Sequence, residues 1–163
     1  MEGKNFGRVM QAGLIATIIM SIIQAMAPVM GVPRMDIAAM VASMFGGSLV
    51  VGWIVHLMMG TILWAAVYAY IVEPRLGGAP LVRGLTYGAL LAVFVLIIGF
   101  PLVGAMFSSI IPNPGFLGMG MGGAMGTMGV TIGHLVYGLV LGAIYGHPAS
   151  EHHSAVGAHA QRS

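Results

Sequence analysis

The chain has 163 residues, of which 58% are hydrophobic and 6% charged, where a soluble domain carries roughly 25% charged residues. That deficit excludes a water-soluble fold, and six Lys and Arg spread along the chain cannot form the clustered basic patch that nucleic acid requires. The lack of cysteine excludes disulfides, thiolate metal sites, iron–sulfur clusters and a cysteine nucleophile, so a metal must be held by His, Met, carboxylate or backbone oxygen.

A helix needs about 20 apolar residues to cross a hydrocarbon core of about 30 Å. Four stretches meet that requirement, at about 9–31, 48–72, 82–107 and 124–146. The first follows Lys4 and Arg8 and ends in Ala25-Met26-Ala27, which mimics a cleavable leader. It is longer than a leader core, and Pro28 would follow the scissile bond, so it is expected to remain as a span. Residues 35–45 are poor in polar groups, and the sequence predicts a short helix lying in the outer interface with Asp36 near its N-terminus. The second span sets Gly52, His56 and Gly60 four residues apart on one face. The third follows Arg83. The outer segment 108–125 runs Ile-Pro-Asn-Pro-Gly into Phe-Leu-Gly-Met-Gly-Met-Gly-Gly, too glycine-rich for a stable isolated helix. In the fourth span, Gly138, Gly142 and Gly146 recur below His134. From 147 to 163 the chain turns polar, with Glu151, His152, His153 and His159, and reads as a disordered tail.

The ten charges all lie near the ends of these stretches, as expected when an ionised group at mid-membrane costs at least about 2.5–3.5 kcal/mol. Lys4, Arg8, Arg75, Arg83 and Arg162 fall on one side and Arg34 alone on the other, which predicts cytoplasmic termini by the positive-inside rule. Arg8 to Gly13 matches Arg83 to Gly88, and His56-Leu-Met-Met-Gly60 matches His134-Leu-Val-Tyr-Gly138. The expected fold is therefore all-α: a four-helix transmembrane bundle over 1–146, made of two tandem similar hairpins (about 6–72 and 81–146) related by a pseudo-twofold axis along the membrane normal.

Gly52, Gly60, Gly138, Gly142 and Gly146 are expected to let helices pack closely, within the bundle or against another subunit. His56 and His134 are the ionisable groups deep in the spans, which marks them as candidate functional residues. Each is expected to hydrogen-bond a carbonyl or hydroxyl on a neighbouring helix. Alternatives are paired axial ligation of a b-type haem, metal binding, and proton or quinone handling. No acidic second shell for the rings is visible. Met119, Met121, Met125 and Met128 offer thioethers that suit Cu(I), although methionine is also an ordinary filler of apolar cores. His152, His153 and Glu151 could hold a metal only weakly. Glu2, Asp36, Glu73 and Glu151 are far apart, and neither a phosphate-binding Gly-Lys-Ser nor a His-Glu-x-x-His motif occurs, so no enzyme is expected.

Three segments, Arg8-x4-Gly13-Leu-Ile-Ala-Thr, Gly52-Trp-Ile-Val-His56-Leu-Met-Met-Gly60-Thr-Ile-Leu-Trp64 and Gly133-His134-Leu-Val-Tyr137-Gly138 through Gly146, carry a resemblance. Over about residues 6–146 the chain resembles a family of small, uncharacterised four-span bacterial membrane proteins. The resemblance implies an inner-membrane location and no activity. Size, tiny loops and glycine stripes point to a non-catalytic accessory or structural subunit, with the lipid bilayer and other membrane chains as partners, no nucleic acid and no cofactor. The alternative is a haem- or metal-binding electron-transfer subunit using His56 and His134, with haem b or copper as cofactor. A second alternative is a small transporter or channel component.

Overall fold

A computed structural model describes residues 5–34, 36–107 and 113–146, and every regular element among them is helical. The tail 147–163, with Glu151, His152 and His153, lies outside the described residues, as does 108–112 in the second outer segment. Four helices are long and apolar enough to cross a membrane: Phe6–Met30, Leu49–Arg75, Pro80–Phe107 and Gly123–Tyr145. Their limits agree with the sequence expectation to within about one helical turn.

Local chemistry sets where they start. Asn5 opens the first span by accepting the Arg8 backbone N–H at 3.2 Å, Ser48 does the same for Val51 at 3.5 Å, and Pro80 occupies the first turn of the third. The two side-chain caps satisfy backbone donors that a helix N-terminus leaves bare, and Pro80 has no such donor to satisfy. The expected short helix is Ile37–Met44, capped by Asp36, whose carboxylate accepts from the Ala39 N–H at 2.9 Å. The glycine-rich segment forms only a tight turn over Phe116–Met121, broken by left-handed backbone at Leu117 and Gly118. Leu117 and Met121 fold inward there against Leu96, Phe100 and Val130.

Consecutive spans pack together, first on second and third on fourth, and the first also lies along the fourth. The third reaches the second through Tyr87, whose hydroxyl donates to the Trp64 carbonyl at 2.6 Å. The closest approach is between the third and fourth spans. A methyl group at 138 would run into the Gly84 carbonyl and the Gly88 backbone, and one at 142 would meet the Pro80 carbonyl at 2.5 Å. Gly146 lies against Pro80, Gly60 against Thr17, and Gly52 against Ala38 and Ala42 of the short helix. All five glycines expected to mediate packing are thus in contact inside this chain.

One half of the bundle is filled solid by Val9, Ala16, Tyr68, Tyr87, Tyr137 and Leu141. Beyond that plug, at the membrane end, Glu73 pairs with Arg83 and Arg8 donates to the Ile144 carbonyl at 3.1 Å. The opposite end carries Arg34 and Asp36, 3.6 Å apart. The second span is wound as π-helix over Met59–Trp64 and Val67–Val72, and the third over Val95–Gly99. Such windings replace i→i+4 with i→i+5 hydrogen bonds and recur at functional sites.

Overpacking a tight contact costs typically about 1–3 kcal/mol, and at 138 the opposing atoms are backbone that cannot swing aside. Gly138→Val should therefore lower the thermal midpoint of the detergent-solubilised protein sharply. Gly77→Ala, where nothing lies within 4 Å of the added carbon, should leave it unchanged. Equal midpoints for the two variants would refute the glycine contact.

Candidate functional site

Between the solid plug and the Arg34–Asp36 end, the spans leave a chamber of about 160 Å3. The first span lines it with Thr17, Met20 and Gln24, and the second with His56, Met59, Gly60 and Trp64. The third span supplies Leu91, Val95 and Phe100, the fourth Val130, His134 and Tyr137, and the short helix Ile37, Met40 and Val41. A second cavity of about 90 Å3 adjoins it, bounded by Ser21, Arg34, Asp36 and Trp53. Gln24, Ile37 and His56 border both spaces, so they form the partition between an apolar chamber and a polar antechamber.

The hydrogen-bond partners fix what each imidazole offers. His134 Nδ1 lies 2.8 Å from the Val130 carbonyl oxygen. A carbonyl only accepts, so Nδ1 carries the hydrogen and Nε2 keeps its lone pair. His56 Nε2 lies 3.1 Å from Ser21 Oγ, and that hydroxyl donates to the Thr17 carbonyl at 2.8 Å. Ser21 has one hydrogen to give. With it directed to Thr17, His56 Nε2–H is the donor and Nδ1 keeps the lone pair. Trp53 braces this ring edge-on, with ring centroids 5.9 Å apart.

The floor of the chamber depends on the π winding. Tyr137 Oη donates to the Gly60 carbonyl at 2.6 Å, and Tyr87 caps the Trp64 carbonyl at the other end of the same winding. These hydroxyls pin an irregular stretch of backbone in a region where no solvent is present to satisfy it.

His56 and His134 therefore border one chamber; the His56 bond is to Ser21 of the first span, whereas the His134 bond is to a carbonyl of its own helix rather than to a neighbouring one. The four outer methionines are not gathered in the same way. Met121 packs inward on the Leu96–Phe100–Val130 cluster, whereas Met119, Met125 and Met128 are exposed. Among the described residues, no three His, Cys, Asp or Glu side chains group as a metal site. A porphyrin does not fit the chamber without movement of the helices, because pockets for drug-sized ligands start at about 300 Å3.

Sequence reasoning passed over Thr17, Met20, Ser21 and Gln24. Their signal was present: polar residues at i, i+4 and i+7 of a span that is otherwise apolar mark a stripe turned to the interior. Met59, three residues beyond His56, shares its face in the same way. Met40 had no such signal, since only the folding of the short helix against the second span brings it in.

Residues 4–156 match the model of a family of unknown function, DUF6789. No curated protein and no solved structure matches the chain.

Two measurements check this geometry. Nitrogen NMR of histidine-labelled protein should show His134 as the Nδ1–H tautomer, and an Nε2–H signal there would contradict the Val130 contact. Tyr137→Phe leaves the Gly60 carbonyl without its hydroxyl donor, which should destabilise the bundle by about 1–3 kcal/mol, read as a lowered melting midpoint.

With a match that spans all of its described residues, the chain belongs to the DUF6789 family.

Proposed function

We propose that this chain is a non-catalytic, multi-pass protein of the bacterial inner membrane, with both termini cytoplasmic, that binds one small guest in its chamber. The observation that carries this is the convergence of all four spans and the Ile37–Met44 helix on a single cavity bordered by both described histidines. A cavity of about 150 Å3 is large enough for benzene or xenon, so the guest is a single ion or a molecule no larger than one ring. The orientation is supported by the charges: Arg8, Arg75 and Arg83 gather at the plugged end, and Arg34 stands alone at the other. On that orientation the chamber lies in the periplasmic half and is reached through the antechamber beside Arg34 and Asp36.

Attachment to a larger membrane complex is the second reading. The glycine faces no longer argue for it, because each meets a partner inside the chain. What favours it is the second span, in whose most apolar 18-residue stretch 22% of the residues are buried, against 28% in the third and 33% in the first and fourth. A partner would take that face. A transport role would require the plug of Tyr68, Tyr87 and Leu141 to open. The tandem-hairpin repeat would place His56 and His134 in corresponding positions of two similar units, as their shared border on the chamber suggests.

The absence of native cysteine suits a labelling test. In intact cells, a small thiol reagent should reach Val41→Cys in the chamber wall and should not reach Leu141→Cys in the plug. Pro74→Cys should label only after the cytoplasmic side is opened. Labelling of Pro74→Cys from outside would overturn the orientation, and an inert Val41→Cys would overturn the chamber as an accessible site.

A further inference from the structure

We propose that the guest is a single Cu(I) ion, held by His134 Nε2 and the thioethers of Met20, Met40 and Met59, with His56 at the entrance. This rests on the chamber being a binding site, and it names the class of ligand that the lining selects.

Three observations converge. Met20, Met40 and Met59 come from the first span, the short helix and the second span, and all three line the one cavity that His134 also lines. Three soft sulfur donors and an imidazole are the set that Cu(I) prefers over harder divalent ions. The His134 ring is already fixed as metal-bound imidazoles usually are. Its Nδ1–H is committed to a backbone carbonyl at 2.8 Å, which holds the tautomer with the lone pair on Nε2. His56 has the same kind of support, from Ser21 and through it Thr17, so the antechamber meets a second ring with a free nitrogen.

Charge decides between metals. Among the described residues, no carboxylate lines the chamber, and Asp36 lies in the antechamber. A divalent ion would bring two uncompensated charges into a low-dielectric interior, and an isolated buried charge is very unfavourable. A monovalent ion brings one, spread over polarisable sulfur. The wall of Leu91, Val95 and Phe100 offers no side-chain nitrogen or oxygen, which also disfavours Cu(II), since that ion seeks tetragonal nitrogen and oxygen coordination. The outer methionines that first suggest copper in the sequence belong to a different part of the fold. The thioethers that share a space with a histidine are those of the spans and the short helix.

The test is an anaerobic titration of the purified full-length protein with Cu(I) against a chromophoric Cu(I) chelator. One ion per chain should be retained, and X-ray absorption should report mixed sulfur and nitrogen in its first shell. Met59→Leu conserves volume and should keep the fold. It should weaken binding at least tenfold, as should His134→Leu. Replacing Met119, Met121, Met125 and Met128 together by Leu should leave the affinity unchanged. No copper retained against the chelator, an affinity unaltered in Met59→Leu, or an affinity lost in the outer-methionine variant would each overturn the proposal. If Val41→Cys is labelled from outside while the titration fails, the metal is wrong and the chamber stands. If neither succeeds, the chamber has fallen with it.

Discussion

The contact between glycine backbones of the third and fourth spans governs what the rest of the molecule can do. In lipid there is no hydrophobic drive to bring apolar helices together, so association depends on close packing and hydrogen bonds. Gly84 and Gly88 meet Gly138 and Gly142 with no room for a side chain between them. This brings the two helices together along the plugged half and sets the fourth span's position. From there Tyr137 can reach Gly60 on the second span, and His134, whose backbone lies against Gly88, borders the chamber. Close contact in one half and a chamber in the other are two results of one packing geometry.

The π windings belong to the same logic. Each shifts the hydrogen-bond register of its helix and leaves carbonyls that benefit from an extra donor. On the second span, Tyr137 and Tyr87 supply those donors at Gly60 and Trp64. The irregular backbone on the third span, Val95–Gly99, begins at a residue of the chamber wall and ends beside another, Phe100. Irregular backbone at membrane depth is tolerated where it is buried in protein or lines a cavity, and both conditions hold here. A regular α-helix over Met59–Trp64 would turn Trp64, at the end of the winding, to a different rotational position relative to His56 and Met59.

Much of this was legible in the residues. The four spans, the capped helix after Asp36 and the glycine contacts follow from hydropathy, capping chemistry and spacing. The partners of the glycines did not. Spacing shows that a face is small, and it does not show whether that face meets a neighbour in the chain or in another protein. Gly84 and Gly88 are the partners of Gly138, and the alignment with Gly13 gave reason to notice only Gly88. The π windings had no signal at all, because nothing in Met-Gly-Thr-Ile-Leu-Trp distinguishes i+5 from i+4 bonding. The copper-like spacing of Met119, Met121, Met125 and Met128 was read from a linear run, whereas the chamber draws its three methionines from segments far apart in the chain.

The chemistry of the chamber follows from what surrounds it as much as from what lines it. Carboxylates and guanidinium groups stand at both ends of the bundle, Glu73 with Arg83 at one and Asp36 with Arg34 at the other, and among the described residues none borders the central space. Its polar groups are neutral, and most are already committed: Thr17 Oγ1 to the Gly13 carbonyl at 2.7 Å, Tyr137 to Gly60, and one nitrogen of each imidazole to its own acceptor. What stays available is a set of acceptors, namely imidazole lone pairs and thioether sulfurs, together with the Gln24 amide and the Trp64 indole N–H. A space that presents lone pairs and few hydrogens selects a guest that accepts electron density. Among the described residues, an anion or a bare carbonyl compound would find the Gln24 amide and the Trp64 indole N–H to donate to it, whereas a soft cation would find lone pairs on several walls.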